Sequence, residues 1–219
     1  MSRNHPRRLI WLVSLISLSC FSNIQTARID IGRFSQGDLG GWEEKSFSGH
    51  TSYGLVQGPR HRVLKARTSA AASGMLRETD IDLDETPFLN WSWKVDNIYQ
   101  GNNERTKDGD DYPARIYVVV SGGLFFWKTR AINYVWSSNQ AVGTVWDNAY
   151  TGNAKMVAVR SGDREAGRWF REKRNVRKDL EQLFGEGIAR IHAVAIMSDS
   201  DDTGQSATAY YGDIFFSAQ

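Results

Sequence analysis

The sequence is short of the residues that lock small exported domains together. Its 219 residues include one cysteine, Cys20, and four prolines. A single cysteine cannot form an intrachain disulfide, so stability must come from a hydrophobic core, with or without a bound metal. No proline-rich linker, low-complexity tract or internal repeat divides the chain. Long apolar runs are missing as well. The one such run, Leu9–Phe21, has 13 residues and is too short to span a bilayer. Charge of one sign is also missing. Apart from Arg3, Arg7 and Arg8, the chain carries 24 Lys and Arg against 25 Asp and Glu, which gives no reason to expect nucleic acid as a partner. The serine-hydrolase elbow, the H-E-x-x-H zinc motif, the Walker A loop and the dinucleotide-binding glycine fingerprint are all absent. No His/Cys spacing suggests zinc. We therefore nominate no catalytic residue.

What is present begins with a leader. Arg3, Arg7 and Arg8 precede the apolar run and a cleavable position near Ala27. This pattern predicts a signal peptide over residues 1–27 and a mature domain over 28–219, periplasmic or secreted and with no transmembrane segment after export. Lipidation at Cys20 is the minor alternative, because Ser17-Leu18-Ser19 lacks the leucine such signals prefer at minus three.

The mature chain reads mostly as strands. In Phe88–Val95, Leu89, Trp91, Trp93 and Val95 alternate with Asn90, Ser92 and Lys94, the pattern of a half-buried strand. Ala114–Val120 is apolar on both faces after Arg115 and should be central. Further strands are predicted at Ser52–Val56, Arg62–Thr68, Met75–Leu83, Ile132–Trp136, Lys155–Val159, Ile188–Met197 and Thr208–Phe216. One helix is expected where Val176, Leu180, Leu183 and Phe184 share a face, with Asn175 as N-cap and Gly185 or Gly187 as C-cap. The sum is an all-β, two-sheet, jelly-roll-like β-sandwich with one α-helix in its C-terminal half.

Five stretches carry a resemblance: WSWKV (91–95), KDGDDYPARIYVV (107–119), YVWSSN (134–139), AVRSGDREAGRW (158–169) and AIMSDSDDTGQSATAYYGDIFF (195–216). In this order they resemble the bacterial DUF3047 family, a domain of unknown function. The resemblance implies no activity. The closing Gly-Asp-Ile-Phe-Phe is similar to the last strand of jelly-roll carbohydrate-binding modules.

Two acidic clusters stand out. In the second, Asp199-x-Asp201-x-Thr203-Gly204 matches the opening of a calcium loop, but Tyr210 occupies the position of the closing bidentate glutamate, so an EF-hand is excluded. A different oxygen site, with Asp199, Asp201, Thr203 and Asp213 as donors, would hold a structural calcium ion. The competing interpretation is a turn stabilised by its own side chains. In the first cluster, Asp108, Asp110 and Asp111 precede Arg115. Even spacing would place Asp111 on the face of Arg115, as a buried ion pair or as part of a polar pocket. Candidate ligand-binding residues are Asp110, Asp111, Arg115, Trp127, Tyr210 and Tyr211. Trp127 is included because Gly122-Gly123 suggests a turn that would expose the aromatics after it. Eight basic residues between Arg160 and Lys178 read as a solvated face, or as a contact for an acidic polymer of the envelope.

These features favour a non-catalytic periplasmic sandwich that binds a saccharide or another envelope polymer. Two alternatives belong to other classes: a polysaccharide hydrolase or lyase using both Asp clusters, and a structural partner of another envelope protein.

Overall fold

The computed structural model describes residues 1, 27–124, 128–185 and 187–219. The expected leader, Cys20 and Trp127 fall outside the described residues. The rest forms two seven-stranded sheets packed face to face. The first sheet contains β1 (Arg28–Gly32), β3 (Ser52–Gln57), β4 (Arg62–Ser69), β6 (Phe88–Val95), β11 (Phe170–Asn175), β13 (Ser206–Tyr211) and β14 (Ile214–Ser217). The second contains β2 (Glu43–Ser48), β5 (Ala72–Asp82), β7 (Ala114–Val120), β8 (Arg130–Ser137), β9 (Val145–Asp147), β10 (Ala154–Ser161) and β12 (Arg190–Asp199). Its order is β2-β5-β12-β7-β8-β10-β9, antiparallel throughout except for the parallel pair β8 and β10.

The alternation of β6 is what builds the core. Leu89, Trp91, Trp93 and Val95 are buried, and the residues between them are half-buried on the outer face. Trp91 stacks on Tyr134 of β8 with ring centroids 5.6 Å apart, and Trp93 meets Trp136 edge-on at 5.9 Å. Rings of this size bury more apolar area than any other side chains, and each such pair adds roughly 0.5–1.5 kcal/mol beyond its area. β7 lies between β12 and β8, as its two-sided apolar character predicted.

One expected strand is divided. Thr208–Phe216 becomes β13 and β14, which run along the same edge of β6 and are interrupted at Gly212-Asp213. Gly212 donates its N–H to the Ser92 carbonyl at 2.8 Å, and a Cβ on it would stand 2.2 Å from Ser92 Oγ, so a larger residue would have to displace that hydroxyl. On its far side β13 pairs with β4 and β14 with β1, so the broken strand splays the sheet.

The predicted helix is α1, Val176–Phe184. Asn175 caps it by accepting a hydrogen bond from the Lys178 N–H at 3.0 Å, and Gly185 closes it at φ 75°. Val176 and Leu180 enter the core while Leu183 and Phe184 pack at its margin. Among the described residues no helix is long and apolar enough to cross a membrane.

Candidate functional site

The outer face of the second sheet holds a groove of about 410 Å³. Strand alternation supplies its floor. On β7, Ala114, Ile116 and Val118 point into the core, so Arg115 and Tyr117 point out. On β8, Ile132, Tyr134 and Trp136 point in and Asn133 out. Met197 and Asp199 of β12 complete the floor. One wall is Tyr150, 57% exposed, and the other is Phe47 of β2, 74% exposed. Asp201 and Asp202 close one end.

The two acidic clusters meet at that end. Arg115, 4% exposed, forms an ion pair with Asp199 through Nη2, and its Nη1 lies 4.0 Å from Asp110. Burial alone would lower the pKa of this guanidinium. Asp199, Tyr117, Asp110 and Tyr112 around it more than compensate and hold it protonated. Asp110 accepts hydrogen bonds from Asn148 Nδ2 at 2.7 Å and the Tyr112 hydroxyl at 3.1 Å. Burial still pushes its carboxyl above the usual range, against the pull of Arg115. Asp111 turns the other way and accepts from the backbone N–H groups of Thr203, at 2.6 Å, and Asp202, at 3.4 Å. The first cluster therefore caps the turn made by the second. Gly109 lets the first cluster's own loop fold back on itself: a Cβ there would lie 2.6 Å from the Asn103 backbone nitrogen and oxygen.

The expected pairing of Asp111 with Arg115 is thus replaced by Asp199 and Asp110. Parity fails because the chain bends at Pro113, and β7 starts only at Ala114. Tyr211 is fully buried. Its hydroxyl donates to the Met197 carbonyl at 2.9 Å and accepts from the Arg115 N–H at 3.2 Å, so it holds β7 and β12 together from across the core. No ligand can reach it. Tyr210 faces out of the opposite sheet, where its hydroxyl donates to Asp96 at 3.0 Å and Lys94 Nζ sits 4.2 Å from its ring.

Of the four expected metal donors, Asp201 is the one whose carboxylate joins a cluster of oxygens. It shares that cluster with Asp111 and Asp202, and one oxygen from each lies within 4.8 Å of the others. Asp199 is committed to Arg115. Thr203 donates its N–H to Asp111, and its hydroxyl accepts from the Gln205 N–H at 3.3 Å. Asp213 lies at the far end of β13, about 20 Å of strand away. Both of its oxygens accept from Ser35, from the N–H at 2.8 Å and the hydroxyl at 2.5 Å.

Several functional positions carried no sequence signal. Asn133 is 1% exposed, lines the groove, and its Oδ1 has no partner; Nε of Arg115 likewise has none. Tyr150 donates to both oxygens of Asp202, at 2.9 and 3.1 Å. Beneath the groove, Glu104 is fully buried, bonded to the Ser137 hydroxyl and to the Ser138 N–H at 2.5 Å, and burial raises its pKa to about 7. It lies in the polar run Gly101–Asp111, which has the composition of an exposed loop.

No curated protein sequence matches the chain. Solved structures that resemble it include a cellulose-induced protein (TM-score 0.49, 10% identity, covering 85% of this chain and 96% of that one). Another is the family 11 carbohydrate-binding module of a Clostridium thermocellum cellulosomal cellulase (TM-score 0.47, 10% identity, 89% and 95% covered). A third is a xylan-binding domain from Paenibacillus barcinonensis (TM-score 0.39, 11% identity, 85% and 92% covered). In sequence, residues 40–215 match the proteins of unknown function grouped as DUF3047, and the chain belongs to that family.

Proposed function

We propose that this protein is an exported, non-catalytic binding domain whose groove on the second sheet takes a saccharide or another polyhydroxylated envelope polymer. The observation that carries the reading is the pair of buried, unpartnered polar atoms on the groove floor, Nε of Arg115 and Oδ1 of Asn133. A buried donor and a buried acceptor without partners are costly unless something supplies them. Ligand hydroxyls do both, since each can accept and donate. The Tyr150 ring beside them offers a flat apolar surface for a pyranose face. Export rests on the basic and apolar leader. Lack of catalysis is consistent with Asp199 and Asp110 being held by Arg115, Asn148 and Tyr112. The test is a glycan-binding screen followed by titration of Asn133→Ala. Binding of at least one oligosaccharide, weakened about tenfold in the variant, is expected; a screen with no hit refutes the reading.

We place a structural calcium ion at Asp111, Asp201 and Asp202. Three crowded carboxylates repel one another, and Asp202 is raised above its usual pKa by burial and then by Asp201, Asp111 and Asp110. A divalent cation would relieve that repulsion.

A second reading, glycoside hydrolysis, is favoured by one observation. Asp110 and Asp202 line one cleft, and both are held above the ordinary carboxylate range, as a proton donor must be. Release of reducing ends from a polysaccharide panel, abolished in Asp202→Asn, would establish it over the binding reading.

A further inference from the structure

The outer face of the first sheet carries another groove, distant from the one above. β11 pairs with β6 so that Arg171 lies opposite Ser92 and Lys173 opposite Asn90, and all four point away from the core. Gly212 lies beside Ser92, and its missing side chain keeps the floor low. Trp169 and Arg171 form one wall. The turn from β3 to β4, with Pro59, Arg60 and His61, forms the other. The cavity between them measures about 380 Å³, and among the described residues no carboxylate lines it. A second cavity of about 400 Å³ shares His61, Ser92 and Arg171 and extends the depression past Lys173 to Arg28, whose guanidinium lies 3.6 Å from the centroid of Phe215. Two carboxylates reach this extension, and both are occupied. Glu172 accepts from Arg160 Nε at 2.7 Å and Trp93 Nε1 at 3.2 Å, and Asp213 is held by Ser35. Arg60, His61 and Arg171 are exposed.

We infer that this face is a second binding site and that it takes an acidic glycan, a chain of sugar rings bearing carboxylates. Two arginine forks and a histidine with no acid among them suit a carboxylate, which a guanidinium can grip with two parallel bonds. The half-exposed Trp169 indole, with Val63 and Pro59, supplies an apolar platform that a bare anion would not use. Ser92 and Asn90 on the floor match ring hydroxyls. Two joined cavities fit several consecutive units rather than one. The site is independent of the groove on the second sheet, and each can fail without the other.

The experiment is a titration of the purified full chain with oligogalacturonate of six units, read by calorimetry and tryptophan fluorescence, with cellohexaose as the neutral control. Binding is expected for the uronide alone, falling about tenfold as NaCl rises from roughly 50 to 300 mM, since exposed charges are screened over that range. The double variant Arg60→Gln, Arg171→Gln should lose at least about tenfold with its melting temperature unchanged. Trp169→Ala should lose several-fold at every salt concentration. Lys45→Gln, which removes one positive charge from the other sheet, should bind as the parent does. The inference is overturned by no uronide binding, by binding that survives the double arginine change, or by cellohexaose binding equally well. It is also overturned if Trp169→Ala is silent, or if a single-stranded oligonucleotide binds the same arginines as tightly.

Discussion

On the outer face of the second sheet, charged groups are sunk into the surface. Arg115, Asp110 and Asp199 are each under 5% exposed and depend on one another. On the outer face of the first sheet, Arg60, Arg171 and Lys173 stand in solvent, in no ion pair among the described residues. The same two-residue alternation produced both faces. They differ in what closes over the strand ends: two loops fold onto the second sheet and shut water out, whereas the first sheet stays open at its centre. A buried charge network sets stability and ligand geometry together. An exposed one sets only affinity.

Substitutions should separate these cases, and the largest effect belongs to Arg115. Arg115→Met leaves Asp199 and Asp110 buried without their cation and should cost about 3–5 kcal/mol in urea unfolding, with Asp199→Leu restoring part of it. Next is Glu104. Its carboxyl titrates near 7 in the folded protein and near the ordinary value when unfolded, so the native state binds the extra proton. Its contribution to stability should therefore be complete below about pH 4.5, fall by roughly 3 kcal/mol up to about pH 7, and level off above it. Glu104→Gln, which mimics the protonated acid, should flatten that slope. Should the slope persist, another group is its source.

Smaller effects follow. Millimolar calcium should raise the melting temperature by about 5 °C, on the order of 2 kcal/mol, and Asp201→Asn should remove the gain. Equal melting in calcium and in EDTA would leave the Asp111–Asp202 contact as a turn device alone. Tyr150→Ala should weaken saccharide binding by about 1 kcal/mol in calorimetry and barely alter stability. At the bottom of the scale, Arg171→Gln should move stability by no more than about 0.5 kcal/mol, as expected of an exposed side chain. A larger loss would place Arg171 among the structural charges and erase the contrast between the faces.

How much of this the sequence showed depended on how local the cause was. β6 and β7 were readable residue for residue because alternation and apolar content act within one strand. The helix was readable because its cap, apolar face and terminal glycine lie within eleven residues. β2 was not, since every one of its residues is exposed, and β11 was hidden inside a basic run that resembles a solvated face. The break at Gly212 lies against Ser92, which is 120 positions away in the chain. The aspartates were singled out by their local clustering, but the partners they take in the structure were not. Whether Arg115 faces Asp111 or Asp199 is decided by a bend at Pro113 and by a turn some 85 residues later, and neither is written in local spacing. Asn133 and Glu104 had no mark at all, because what distinguishes them is burial.

The stretch Ser198–Phe216 supplies the acidic end of one groove and, through Gly212, the floor of the other. It also contributes Tyr211, which crosses the core to hold the strands bearing Arg115 and Met197. A frameshift, a premature stop or a recombination crossover in this short piece of coding sequence strikes both surfaces in one event. Single substitutions at the residues lining each groove, which the two do not share, can still alter one surface and spare the other.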